Sequence, residues 1–205
     1  MAPSKNITAY KQQLHERIVD TAMHAFAMHG IKAVRMDDIA QKLGISKRTL
    51  YELYRAKEDL LYEVMDRHRA RQAAEMVKAA ARCKNVMEIL LQVYRMKLEE
   101  FKVVSPLFYD EITRYPRVME LLTRNRQQNH DEMLQFLRRG VSEGCFRKDV
   151  DYELIIELFE AIGRQIMDQQ LYHKYSMEQI FKGMVFTSLR GICTTRGARM
   201  LDELL

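Results

Sequence analysis

Asp38-Ile39-Ala40-Gln41-Lys42-Leu43-Gly44-Ile45-Ser46-Lys47-Arg48-Thr49-Leu50, within a chain of 205 residues, has the composition and spacing of two short helices joined by a tight turn. Asp37 to Leu43 and Lys47 to Leu53 are helical segments too short to be stable alone, and only Gly44-Ile45-Ser46 separates them. Each special residue has a physical task if the two form a helix-turn-helix. Ala40 is small where the second helix must cross close to the first, and Gly44 supplies the left-handed conformation that ends the first helix. Ile39, Ile45 and Leu50 fill the space between them, and Ser46 caps the second helix by accepting from its free N–H groups. Lys47, Arg48, Thr49, Tyr51 and Glu52 are left facing outward. Cations, a hydroxyl and a phenol on such a helix suit entry into a DNA major groove.

Working outward, helical periodicity continues almost throughout. A helix from about Gln12 to Met28 places Leu14, Ile18, Ala22, Ala25 and Phe26 on one face and stops at Gly30. Beyond Lys57 the spacing predicts helices over 57–81, 86–104, 106–114, 117–140, 151–173 and 177–195, with breaks at Pro106, Pro116, Gly140 to Gly144 and Ser176. Only 3 Pro, 8 Gly and no Trp occur, too few turn residues for an all-β chain, and no strand-like alternation or internal repeat is found. The expected fold is all-α: an N-terminal three-helix helix-turn-helix domain at 1–57 and a larger helical domain for ligand binding and dimerisation at 58–205.

Charge divides at the same place. Residues 1–57 carry 10 basic and 5 acidic side chains, and the remaining residues carry 23 of each, so the whole net charge of +5 lies in the first quarter. A basic module joined to a neutral domain is how a nucleic-acid-binding protein distributes charge, although a solvated basic surface has the same composition. Cys83, Cys145 and Cys193 are odd in number and far apart, which fits neither a disulfide framework nor a CxxC site. With no secretory h-region and no run of 18 apolar residues, a reducing, bacterial-type cytoplasm is the expected compartment, with no membrane contact.

Ile39-Ala40, Leu43-Gly44-Ile45-Ser46, Thr49-Leu50-Tyr51, Tyr54, Lys57 and Leu60, at their spacing here, resemble the DNA-binding signature of TetR-family transcriptional regulators. Phe26 and Gly30 at the end of the first helix extend the likeness, as do Leu189-Arg190-Gly191-Ile192, Thr195 and Gly197 near the C-terminus. The resemblance implies that Ser46, Lys47, Arg48 and Thr49 face the groove and that Tyr51 and Lys57 bind backbone phosphates, the Lys57 ammonium reaching outward. Three positions depart from the family pattern. Arg48 replaces a small residue and is long enough to grip a guanine, and Arg35 replaces a helix-starting Thr and offers a phosphate contact. Glu52, in place of a common His, must turn aside from phosphate or accept from a cytosine.

The C-terminal helices carry broad apolar faces. Leu154, Ile155, Leu158, Phe159, Ile162 and Ile166 form one, and Met177, Ile180, Phe181, Met184, Val185, Ser188, Leu189 and Ile192 another. Two such helices pair with their copies as a four-helix bundle or close the protein's own core. The dimer is expected, through Leu158, Ile162, Phe181, Met184, Val185 and Leu189, because a palindromic operator needs two recognition helices. On 86–104, Lys97 interrupts an apolar stripe that includes Phe101; on 117–137, Asn125 and Asn129 interrupt one that includes Met133. Buried polar groups need partners. A ligand cavity with polar anchors supplies them, and so do a Lys97–Glu100 ion pair and neighbouring backbone.

No HExxH, GxSxG, P-loop or GxGxxG motif occurs, and no metal-ligand set stands out, so no enzyme activity, cofactor or metal is expected. The expected protein is a homodimeric regulator of double-stranded DNA, a repressor released by a small apolar or amphipathic effector. A ligand-independent DNA-binding factor controlled by a protein partner is the alternative.

Overall fold

The computed structural model describes residues 4–124 and 126–203, and among them every regular element is helical, apart from one isolated antiparallel bridge between Phe146 and Cys193. Two compact units form: residues 1–72 with 104–123, and residues 73–103 with 124–205.

In the first unit, α1 (Ser4–His29) begins well before Gln12, because no Gly or Pro interrupts it there, and Leu14 is buried in the core. It ends at Gly30, whose φ of +79° only glycine adopts readily and whose N–H bonds to the Phe26 carbonyl at 3.0 Å. α2 (Met36–Leu43) and α3 (Lys47–Leu53) follow, joined through Gly44 at φ +67°. The Gly44 N–H donates to Gln41 at 3.1 Å and the Ile45 N–H to Ala40 at 3.0 Å, satisfying carbonyls that the end of α2 leaves open. Ile18, Ala22, Phe26, Ile39, Ala40 and Leu50 are buried together with Leu60, Leu61 and Val64 from α4 (Lys57–Arg82).

Two further helices complete this core. α6 (Pro106–Ile112) and α7 (Pro116–Arg124) contribute Phe108, Ile112, Val118 and Leu121. The Ser105 N–H donates to the Ala27 carbonyl at 2.8 Å, and the Glu111 carboxylate accepts from the Lys32 N–H at 2.6 Å. The compact unit around the helix-turn-helix therefore takes in chain well beyond residue 57. Arg117 donates to Asp59 at 2.7 Å and lies 5.4 Å from the centre of the Tyr62 ring.

The second unit holds α5 (Val86–Val103), α8 (Arg126–Ser142), α9 (Tyr152–Asp168) and the C-terminal elements. The helix expected over 177–195 is interrupted. α10 (Met177–Ile180) passes into a π-helical turn (Phe181–Phe186), then α11 (Thr187–Gly191). After it, α12 (Thr195–Asp202) is capped by the Thr194 hydroxyl, which accepts from the Gly197 N–H at 3.0 Å and donates to the Gly144 carbonyl at 2.8 Å. Gly197 lies so close to the Cys145 carbonyl that a Cβ would fall 2.0 Å from its oxygen. The apolar stripe expected along 117–137, Val118, Leu122, Met133 and Phe136, is divided: Val118 and Leu122 pack in the first core and Phe136 against the second.

Candidate nucleic-acid interface and ligand cavity

The start of α3 is built by local chemistry. The Ser46 Oγ accepts from the Thr49 N–H at 3.0 Å and lies 2.8 Å from the Thr49 hydroxyl, so these two side chains cap the helix and hold each other. Beside them Lys47, Arg48 and Tyr51 are exposed, while Leu50 between them is fully buried and fixes the helix's rotation. Arg35 is exposed at the N-terminus of α2, where its N–H donates to the Asp38 carboxylate at 3.0 Å.

Carboxylates hold both cations of α3. Lys47 Nζ donates to Asp37 on α2, and Arg48 Nε donates to Glu52 one turn along α3 at 2.8 Å. The hydrogen bond to Asp37, and then its charge, raise the Lys47 pKa above the ordinary lysine value. Glu52 acts on Arg48 in the same order and direction. The i, i+4 spacing of Arg48 and Glu52 signals their pairing in the sequence. Asp37 and Lys47 meet only because two helices cross, and no local pattern announces that contact.

Lys57 requires a correction. Its ammonium turns inward, donating to the carbonyls of Ile31 at 2.8 Å, Val34 at 3.1 Å and Lys32 at 3.3 Å. All three protons are thus directed at the turn after α1, whose carbonyls have no helical partners. Burial lowers the Lys57 pKa from the ordinary lysine value, with the charge of Glu111 opposing it.

Behind the C-cap of α3 lies a polar network. Tyr54 Oη donates to Glu63 at 2.9 Å and lies 3.0 Å from His15 Nε2, while Arg67 reaches His15 Nδ1 at 2.9 Å and Glu63 at 2.8 Å. His15 Nδ1 also lies 3.2 Å from a Glu63 carboxylate oxygen, so the four side chains form one closed network. Burial, followed by the bond to Glu63, raises the Tyr54 pKa.

In the second unit a cavity of about 480 Å³ opens among α4, α5, α8, α9 and the π-helical turn. Ile89, Leu90, Val93, Phe136, Phe159, Phe181 and Val185 are among its walls, and only Asn129 and Glu132 are polar. Its size suits a small organic molecule. Of the residues expected at a ligand pocket, Asn129 and Met133 line it. Asn125 lies outside the described residues. Lys97 is ion-paired with Glu100 at 2.7 Å and does not line the cavity, and Phe101 touches its wall through Phe181, ring centres 6.0 Å apart. Periodicity did not point to Ile89 or Phe159 as lining, because a helical wheel does not distinguish a core from a cavity.

The residues expected at a dimer interface separate. Phe181, Val185 and Leu189 line the cavity, and Leu189 is buried, so this face closes the protein's own core. Leu158 remains exposed on α9, with Leu154 on the preceding turn, while Ile162 and Met184 are half-buried. Among the described residues no group of three metal-ligating side chains occurs, and no helix is long and apolar enough to cross a membrane.

Residues 18–64 match the family model for bacterial regulatory proteins of the tetR family. Over 145 residues the chain is 28% identical to the HTH-type transcriptional repressor KstR2 of Mycobacterium tuberculosis, covering 67% of this chain and 72% of that one. The HTH-type transcriptional regulator SrpR of Pseudomonas putida is 23% identical over 189 residues, 87% and 85% of the two chains. The fold is similar to that of a transcriptional regulator from Saccharomonospora viridis crystallised with choline, at a TM-score of 0.68 and 21% identity over 89% of this chain and 99% of that one.

Proposed function

We propose that the chain is a DNA-binding transcriptional regulator like the tetR-family proteins it resembles, a homodimeric repressor whose hold on a palindromic operator is released by a small apolar or amphipathic effector. The exposed cluster Lys47, Arg48 and Tyr51 on a helix whose opposite face is locked by Leu50 carries the DNA-binding part. Arg35 adds a cation at the start of α2, and Ser46 and Thr49 shape the helix end from which the others project. The relative named as a repressor supports the sign of regulation.

The effector enters the cavity of the second unit, where Asn129 and Met133 are contacts and the near absence of polar walls selects an apolar body. Two copies meet through the exposed apolar turns of α9 at Leu154 and Leu158, which presents two recognition helices to the two halves of the operator. The protein works in the bacterial cytoplasm, where its DNA is. To weaken operator binding 100-fold, the effector needs about 2.7 kcal/mol of preference for the non-binding form.

The test selects binders from random duplex DNA at about 0.15 M salt, with the mass of the complex recorded. An enriched palindrome held by a dimer is expected. Absence of enrichment by a folded dimer overturns the reading. N-phenyl-1-naphthylamine then serves as an apolar cavity probe: its fluorescence rises with the wild-type protein and not with Val93→Phe, which fills the cavity. A probe that binds Val93→Phe equally well places effector binding elsewhere.

A further inference from the structure

Arg48 and Glu52, two of the positions at which this chain departs from the pattern it otherwise resembles, form one device. They lie four residues apart on α3, and Arg48 Nε donates to Glu52 Oε1 at 2.8 Å. Both side chains are well exposed, 89% for Arg48 and 61% for Glu52, and exposed ion pairs of this kind contribute little to stability. The consequence is geometric. A guanidinium is a rigid fork, and occupying Nε leaves Nη1 and Nη2 as its outward edge.

Two parallel donors match O6 and N7 of guanine and no other base edge in the major groove. A carboxylate beside that edge also disfavours the competing use of the same arginine, contact with a phosphate, because the phosphate would approach a second negative charge. Lys47 provides the contrast. It too is held by a carboxylate, Asp37, but an ammonium is a point charge without a directional fork, so its partner tunes attraction to phosphate and not the choice of base.

We propose that Glu52 is a specificity-determining positioning residue: by holding Arg48 Nε it aims the Nη edge at a guanine in each operator half-site. This inference rests on the reading of α3 as the recognition helix. It assigns Glu52 no direct contact with cytosine, and it makes the guanine preference a joint property of the pair.

The experiment measures affinities of wild type, Glu52→Ala, Arg48→Ala, the double variant and Asp37→Asn for the selected operator, with all four bases at each half-site position. Circular dichroism confirms that these surface variants are folded. Wild type is expected to prefer guanine at one position by about tenfold or more, and Arg48→Ala to lose that preference. Glu52→Ala, which removes the acceptor of Arg48 Nε, reduces the preference about fivefold while leaving total affinity equal or higher, and has no further effect in the Arg48→Ala background. Asp37→Asn shifts affinity for all sequences alike.

A guanine preference that survives Glu52→Ala overturns the proposal. So does a cytosine preference that Glu52→Ala removes whether or not Arg48 is present. If wild type binds no selected sequence at all, the recognition-helix reading fails with it, whereas a normal operator with a Glu52-independent base preference sinks this inference alone.

Discussion

Lys57 Nζ donates to the Val34 carbonyl at 3.1 Å, tying the first residue of α4 to the chain two residues before α2. With the further bonds to Ile31 and Lys32, this lysine satisfies three carbonyls of the turn after α1. A position that the family resemblance assigns to phosphate thus fastens the DNA-binding unit internally.

Lys57→Met is therefore expected to lower stability by about 2 kcal/mol, since a charged donor is lost and carbonyls lose their partner. Thermal unfolding should move down by roughly 4–8 °C for a chain of this size. The salt dependence of DNA binding should keep its slope. A slope shallower by about one ion would return Lys57 to the phosphate contacts.

Gly30 and Gly44 both hold positive φ, +79° and +67°, but only Gly30 is crowded. A Cβ there would lie 3.0 Å from Leu107 Cβ and from a Glu111 carboxylate oxygen, whereas nothing lies within 4 Å of one at Gly44. Alanine at position 44 should cost about 1 kcal/mol through backbone strain alone. Gly30→Ala should cost more, because α6 must also shift. Equal losses in urea unfolding would remove α6 from the account.

Tyr54→Phe deletes the hydroxyl that joins His15 to Glu63 and should cost about 1 kcal/mol, since each of these part-buried groups loses one partner while Arg67 still holds both. Because the three side chains share one network, the loss should shrink when His15 is already replaced by leucine. Strictly additive losses in the double-mutant cycle would show that Tyr54 and His15 act independently.

Arg117, through its hydrogen bond, holds the Asp59 carboxyl below the usual carboxylate range, burial opposing it and the Ala56 N–H assisting. A carboxylate depressed in the folded state stabilises above the unfolded pKa, and that contribution disappears as pH falls through the folded value. The stability difference between wild type and Asp59→Asn should accordingly narrow from about pH 5 downward. A difference that stays constant to about pH 3 would mean that the ion pair contributes nothing.

In the second unit, Gly140→Ala should be severely destabilising, on the order of 3 kcal/mol or more. The added Cβ would fall 2.0 Å from the ring of Phe146, which is itself 1% exposed, so the ring must shift within the core. Near-normal urea unfolding of this variant would contradict the packing described around Phe146.

The amino-acid sequence by itself determined the helical class, the helix-turn-helix and the residues that crowd its turn. Ala40, Gly44, Ser46 and Leu50 each act on neighbours within a few positions, so their spacing carries their roles. Arg48 and Glu52 are legible in the same way, one helical turn apart. Packing sets where the ammonium of Lys57 points, which carboxylate holds Lys47, and that Phe181, Val185 and Leu189 line a cavity. It also brings α6 and α7 into the core of the helix-turn-helix. Those outcomes depend on groups brought together from distant positions. Periodicity records that a face is apolar, and it does not record which surface comes to cover it.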